Sequence, residues 1–219
     1  MAKLLIFGMG DAGCLAHYYF ARDSEHEVVA FTVDREFVKE PTFLDLPVIE
    51  FEKVAQVYPP SECKMFVAVG YSGMNQLRAA KYFQAKKMGY ELISYVSSRC
   101  TFLADQSPGD NCFILEDTIV QPYVRIGNNV TLWSGSHIGH HSFIDDHCFL
   151  APRIAVSGRV LIGQYCFIGA NVTIRNAVTI APHTLVGAGA IIMKNTVEHG
   201  VYIPTRTEAS AKKSFEIDI

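Results

Sequence analysis

The stretch "IVQPYVRIGNNVTLWSGSHIG", Ile119 to Gly139, carries an aliphatic residue at every sixth position: Val120, Ile126, Leu132 and Ile138. The spacing runs on without a break, from Ile114 before it through Ile144, Leu150, Val156, Ile162, Ile168, Ile174, Ile180, Val186 and Ile192 after it. Four residues after each lies a small or β-branched residue, among them Thr118, Ser136, Ser142, Cys148, Cys166, Ala190 and Thr196. Inward residues two apart across each junction require a short strand with alternating faces, followed by a two-residue turn. Three such units close a triangular coil of about 18 residues, so residues 114–200 are expected to form roughly four to five coils of parallel β-helix. Periodicity alone leaves the hand of the coil open.

The first hundred residues follow a different rule. "KLLIFG", Lys3 to Gly8, is an apolar run that opens Gly8-x-Gly10-x-x-Gly13 and then the helical-looking "CLAHYYFARDS". "HEVVAFTVD" to Asp34, "KMFVAVG" to Gly70, "MNQLRAAKYFQAKKMG" and "YELISYVSS" continue the alternation of strand and helix. This order predicts a small Rossmann-like parallel sheet over residues 1–100, a linker at 101–113, the β-helix at 114–200 and a tail at 201–219. A glycine turn at a helix N-terminus offers N–H groups to phosphate oxygens, which nominates Gly8, Gly10, Asp11, Ala12 and Gly13. Asp34 is spaced to accept from a ribose hydroxyl or a base, and Gly70 and Tyr71 lie at the carboxyl edge of the sheet. The turn fits NAD, another nucleotide, or no ligand at all; room for only about four strands and the lack of a hydride-transfer site weigh against NAD.

Composition excludes other classes. A net charge of −3 and a pI near 6.2 give no basic field for nucleic acid, and no apolar run of about 18 residues is present to span a bilayer. The opening "MAKLLIFGMGDAG" has no signal-peptide pattern, and the six cysteines form no Cys-x-x-Cys pair. A cytoplasmic protein is expected.

"SGSHIGHHSFIDDH", Ser134 to His147, holds four of the eight histidines and suggests either a metal or a proton-transfer centre. In the six-residue frame His140 and His141 share one turn, Asp146 and His147 the next, and His137 points outward from a flat face. They do not converge. His147 and His183 share a column with Tyr165 between them, about 10 Å apart at about 4.8 Å per coil, too far to share an ion. A β-helix carbonic anhydrase would need a His-x4-His pair and a third histidine far upstream, and neither is found, so no metal is expected.

Units such as "IGNNVT", "IGQYCF" and "IGANVT" match the hexapeptide motif of the left-handed β-helix acyltransferases. From Lys3 to about Gly200 the chain resembles the bacterial nucleotide-amino-sugar N-acetyltransferases of the bacillosamine-pathway type and their sialic acid O-acetyltransferase relatives. The resemblance implies an α/β domain plus left-handed β-helix, and transfer of an acyl group, most simply acetyl from acetyl-CoA, to the amine of a nucleotide-linked amino sugar in glycan biosynthesis. Sugar O-acylation and a non-catalytic nucleotide-binding trimer stay open. "GHHSFIDD" is implied to put the general base on His140, with His141 in the catalytic set where relatives carry a carboxylate, either to orient its neighbour or to touch the sugar; otherwise orientation of the base falls to Asp145, Asp146 or a neighbouring subunit. Gly158, 18 residues on, is implied to bind the thioester carbonyl, or is a corner glycine that needs positive φ. Phe149 stands where relatives carry a second histidine, and with Ala151, Ala170 and Ala188 it is implied to serve the coenzyme A side. Because the alanine strip and His140 occupy different corners, a cleft using both is built between subunits, which implies a homotrimer. The relatives' Gly-x-Pro-Ala-Lys ending is replaced by "GVYIPTRTEASAKK", which leaves open a chain longer than acetyl.

Overall fold

The computed structural model describes residues 2–217. Strands β1 (Lys3–Phe7), β2 (Glu27–Val33), β3 (Thr42–Phe43), β4 (Leu46–Glu50) and β5 (Cys63–Val67) form one sheet in the order β3-β4-β2-β1-β5. β4, β2, β1 and β5 are parallel, as the alternation predicts, while β3 is a short antiparallel edge turned back on β4. Helices α1 (Asp11–Arg22) and α3 (Gln76–Lys87) flank the sheet, with a single turn, α2 (Val54–Val57), between β4 and β5. Successive residues of β1 serve opposite cores. Leu4 and Ile6 pack with Phe20, Phe31 and Phe66, and Leu5 and Phe7 pack with Phe51, Met65 and Tyr82.

From Tyr95 onward the chain winds into two-residue parallel strands on three faces. One face has seven strands from Tyr95–Val96 to Val201–Tyr202, another has six from Thr101–Phe102 to Ile191–Ile192, and the third has four from Arg125–Ile126 to Thr179–Ile180. The coil therefore extends past the hexad repeat at both ends. The expected linker at 101–113 opens with a strand of the coil, Thr101–Phe102 paired to Ile119–Val120. Every aliphatic sixth residue from Ile114 to Ile192 points inward and is at most 8% exposed.

The corners explain how so many sharp turns are tolerated. The second turn residue is left-handed at each step from Asn111 to Gly189, with φ between 53° and 76°, and most of these residues are not glycine. Such a conformation costs about 1–2 kcal/mol for an ordinary L-residue. It is offset by a repeated bond: from Asp117 to Gly189, Tyr123 excepted, the N–H of the left-handed residue donates to the carbonyl of the turn residue one coil earlier, as in His141 to Pro122, His147 to Asn128, Arg159 to His140 and Ala177 to Gly158.

Polar side chains fasten the two modules together. Asn111 behaves like a strand residue, accepting from the N–H of Val67 at 2.7 Å and donating to its carbonyl at 3.2 Å. Asn75 donates to the carbonyl of Cys166. Arg78, 2% exposed, donates to the carbonyls of Gly70, Asn129, His147 and Cys148. Burial pulls its guanidinium down to about 10, so it stays charged at neutral pH.

Candidate functional site

Two regions at different places on the molecule carry the expected residues. The first is the glycine turn. A side chain at Gly8 (φ 115°) would collide with the carbonyl of Ala68, and one at Gly13 with the carbonyl of Gly8, so both glycines are demanded by close strand–helix packing. Gly10 is different: a Cβ there would meet nothing within 4 Å, which leaves its backbone open to an approaching group. Asp11, Ala12, Gly70 and Tyr71 line a cavity of about 610 Å³ whose far wall is the seven-stranded face of the coil, including Phe113, Trp133 and Phe149. Tyr71 packs on Phe149 and Phe167 at 4.8 and 4.9 Å between ring centroids.

Phe149 therefore faces the glycine-turn cavity, together with Tyr71, and not the corner that holds the alanine strip. The cause is its outward position on the face that the α/β module covers. Asp34 ends β2 but borders a separate shallow cleft with Arg35, Glu36 and Glu52. Its carboxylate accepts from the Lys81 ammonium at 2.5 Å, so any ribose contact would share it with that cation.

The second region is the corner after strand His137–Ile138. The His140 N–H donates to Gln121 Oε1 at 2.8 Å, and the ring Nδ1 lies 3.0 Å from Nδ1 of His141 with the two rings perpendicular. The His141 ring rests against Tyr123 at 4.6 Å. The remaining nitrogen of His140, Nε2, lies over Gly158, where a Cβ would approach it to 2.6 Å and would come within 3.1 Å of Asn176 Oδ1. Gly158 does not have positive φ; the left-handed residue of that turn is Arg159. Glycine is required there by the imidazole above it.

The aspartates do not orient the base. Asp146 accepts from the N–H and side-chain amide of Asn128, and Asp145 accepts from the N–H of Asp146, both on the next corner. His147 on that corner is 3% exposed and lies within 2.9 Å of the Asn129 amide nitrogen. Burial lowers its pKa. Tyr165, His183 and His199 continue its column at successive centroid spacings of 4.8, 5.0 and 4.8 Å, so these histidines stack and do not converge. His137 lies on a strand of the six-stranded face. On the third corner Ala170 and Ala188 stand one above the other, with the N–H of Gly189 donating to the carbonyl of Ala170. Ala151 is buried where the Phe149–Leu150 strand enters that corner.

Tyr123, Gln121 and Asn176 were not singled out from sequence. The 18-residue column could have found Tyr123 and Asn176, since they lie one coil before His141 and one coil after Gly158. Gln121 belongs to a strand end and has no such signal.

Residues 109–140 match the family model of the bacterial transferase hexapeptide (six repeats). Comparison with curated proteins finds no significant match. Among solved structures, the acetyltransferase domain of PglB from Neisseria gonorrhoeae FA1090 superposes with a TM-score of 0.81 at 21% identity, covering 93% of this chain and 97% of that one. PerB from Caulobacter crescentus, solved with CoA and GDP-perosamine, also gives 0.81 at 21% identity over 93% and 95% of the two chains. WeeI from Acinetobacter baumannii AYE gives 0.75 at 18% identity over 92% and 94%. The PglB domain has also been solved with acetyl coenzyme A, and the perosamine N-acetyltransferase as variants with one histidine replaced by asparagine or alanine. Superposition preserves chirality, and the shared coil is left-handed.

Proposed function

We propose that the protein transfers an acyl group, acetyl in the simplest case, from coenzyme A thioester to the amine of a nucleotide-linked amino sugar in glycan biosynthesis. The observation that carries this is the geometry at His140: its Nδ1 is engaged by His141 while its Nε2 stands exposed over Gly158 on an open corner. The structural relatives crystallised with CoA and with GDP-perosamine support it. The nucleotide is assigned here to the cavity beside the glycine turn, lined by Asp11, Ala12, Gly70 and Tyr71, with the unobstructed Gly10 in the same turn.

In the reaction, the amine attacks the thioester carbonyl, a C–N bond forms and the C–S bond breaks. His140 Nε2 takes the amine proton and returns it to the departing thiolate, a contribution typically worth about 10² to 10⁴ in rate. The Gly158 backbone is the candidate donor to the carbonyl oxygen as it gains charge. Phe149 is assigned here to the nucleotide cavity, while Ala151, Ala170 and Ala188 keep the acyl-donor side, where small side chains let the pantetheine arm lie flat. His140 lies on the edge between the four- and six-stranded faces, whereas the α/β module covers the seven-stranded face. A site that uses both is completed by a neighbouring copy, and a homotrimer supplies one at each of three clefts. Six unpaired cysteines suit the cytoplasm.

The test is thiol release from acetyl-CoA with UDP-, dTDP- and GDP-linked amino sugars. Release with one of them is expected; no release with any member, nor with longer acyl-CoA donors, would refute the proposal. A hydroxy sugar turning over faster than its amino counterpart would convert it to O-acylation.

A further inference from the structure

We infer that His141 is the positioning residue that sets the tautomer of His140, replacing an acidic partner with a neutral imidazole acceptor. The inference rests on the acyl-transfer proposal above, and it follows from one contact. The two facing Nδ1 atoms are 3.0 Å apart. At that distance two N–H groups would clash and two bare nitrogens would repel, so one proton lies between them. If His141 held it, His140 would carry its own proton on Nε2 and present a donor to the incoming amine. If His140 holds it, Nε2 is bare over Gly158 and can accept.

The acyl-transfer proposal requires the second arrangement, since only a bare Nε2 can take the amine proton. The His141 ring is fixed on Tyr123 in the left-handed turn position (φ 59°), which aims its Nδ1 at His140. Arg159 takes the same turn position one coil on, with its N–H bonded to the His140 carbonyl, so the His140 backbone is held from the following coil. In that arrangement a neutral His141 is bare at Nδ1, the nitrogen that faces His140, and carries its proton on Nε2. Gln121 fixes the backbone of His140 and leaves its ring to be oriented by His141. When His140 accepts the amine proton it becomes an imidazolium whose Nδ1–H still donates to His141.

An isosteric pair of substitutions separates the acceptor from the shape. In asparagine, Oδ1 occupies the place that Nδ1 holds in histidine, and leucine has the same outline with no acceptor. His141→Leu is expected to lower kcat about tenfold or more with little change in either KM, and His141→Asn to stay within about threefold of the parent. Long-range ¹⁵N–¹H spectra of the parent should show His140 protonated at Nδ1 and bare at Nε2, with His141 the reverse, and His141→Leu should shift His140 toward the Nε2–H form. A parent spectrum with His140 protonated at Nε2, or a His141→Leu enzyme with unchanged kcat, would overturn the inference. The spectrum needs no turnover, so His140→Ala retaining its kcat would count against the acyl-transfer proposal while leaving the tautomer result to stand by itself.

Discussion

A methyl group on Gly158 would lie 2.6 Å from Nε2 of His140, although the two residues are 18 apart in sequence. The glycine exists to let an imidazole lie flat across the turn of the following coil. Its backbone φ is ordinary, so an alanine there strains chiefly the histidine, with a lesser approach to Asn176 Oδ1. Gly158→Ala should therefore displace the ring and lower kcat by about 10- to 100-fold, while the thermal midpoint moves by only a few degrees. Steady-state kinetics beside a thermal melt checks both halves.

Arg78 is the opposite case, a residue with a structural duty near a candidate site. Its guanidinium satisfies carbonyls from both modules, and no carboxylate neutralises it among its hydrogen-bond partners. Replacing it with methionine leaves several buried carbonyls short of a donor and should cost about 3 kcal/mol or more in chemical denaturation. Arg78→Lys should recover little, because a compact ammonium cannot span carbonyls that a planar fork reaches together.

His147 ties stability to pH. Burial lowers its pKa below the ordinary value of 6.5, so the folded protein resists a proton that the unfolded chain accepts. The stability held by the neutral ring is fully present above about pH 6.5 and is lost as pH falls from there toward the lowered folded pKa. Denaturation midpoints at pH 7.5 and 5.5 should differ, and His147→Asn should flatten that slope. His147→Ala should lower stability by about 1–3 kcal/mol without a specific loss of kcat, because the ring touches Asn129, Tyr82 and Tyr165 and lies on a different corner from His140.

The Asp34–Lys81 pair borders a cleft separate from the glycine-turn cavity, and the proposal that the nucleotide reaches it is tested by substitution. Asp34→Ala should raise the KM for the sugar nucleotide and leave that for acetyl-CoA near its parent value. Equal rises in both would show that the α/β module does not bind the nucleotide separately from the donor.

The β-helix was legible because burial imposes a strict period: an aliphatic residue at each sixth position has only one way to stay dry, and Ile114 through Ile192 all point inward. The four parallel strands and the glycine turn were legible for a similar reason, since Gly8 and Gly13 are demanded by backbone contact. What was hidden depended on side chains meeting across modules or coils. Phe149 reads from the resemblance as a residue of the coenzyme A side until the α/β module covers its face with Tyr71. His147 reads as an exposed corner until Asn129 and the aromatic rings of α3 bury it. From sequence the partner of His140 lay open among Asp145, Asp146, His141 and a neighbouring subunit, and only the ring geometry brings the His141 imidazole to its Nδ1. Strands at Tyr95–Val96 and Thr101–Phe102 put Val96 and Phe102 in phase with the repeat, but Pro108 interrupts the aliphatic run between them and Ile114, so they stayed unread until backbone pairing joined them to the coil.

The central claim is that His140 is the base of an acyl transfer to a nucleotide-linked amino sugar. The most direct measurement is kcat for thiol release by the parent and by His140→Ala, on whichever amino sugar nucleotide supports turnover, with His137→Ala as the control. The account predicts a fall in kcat of about 10² or more for His140→Ala, with both KM values nearly unchanged and His137→Ala close to the parent. A His140→Ala enzyme that keeps most of its kcat would contradict it.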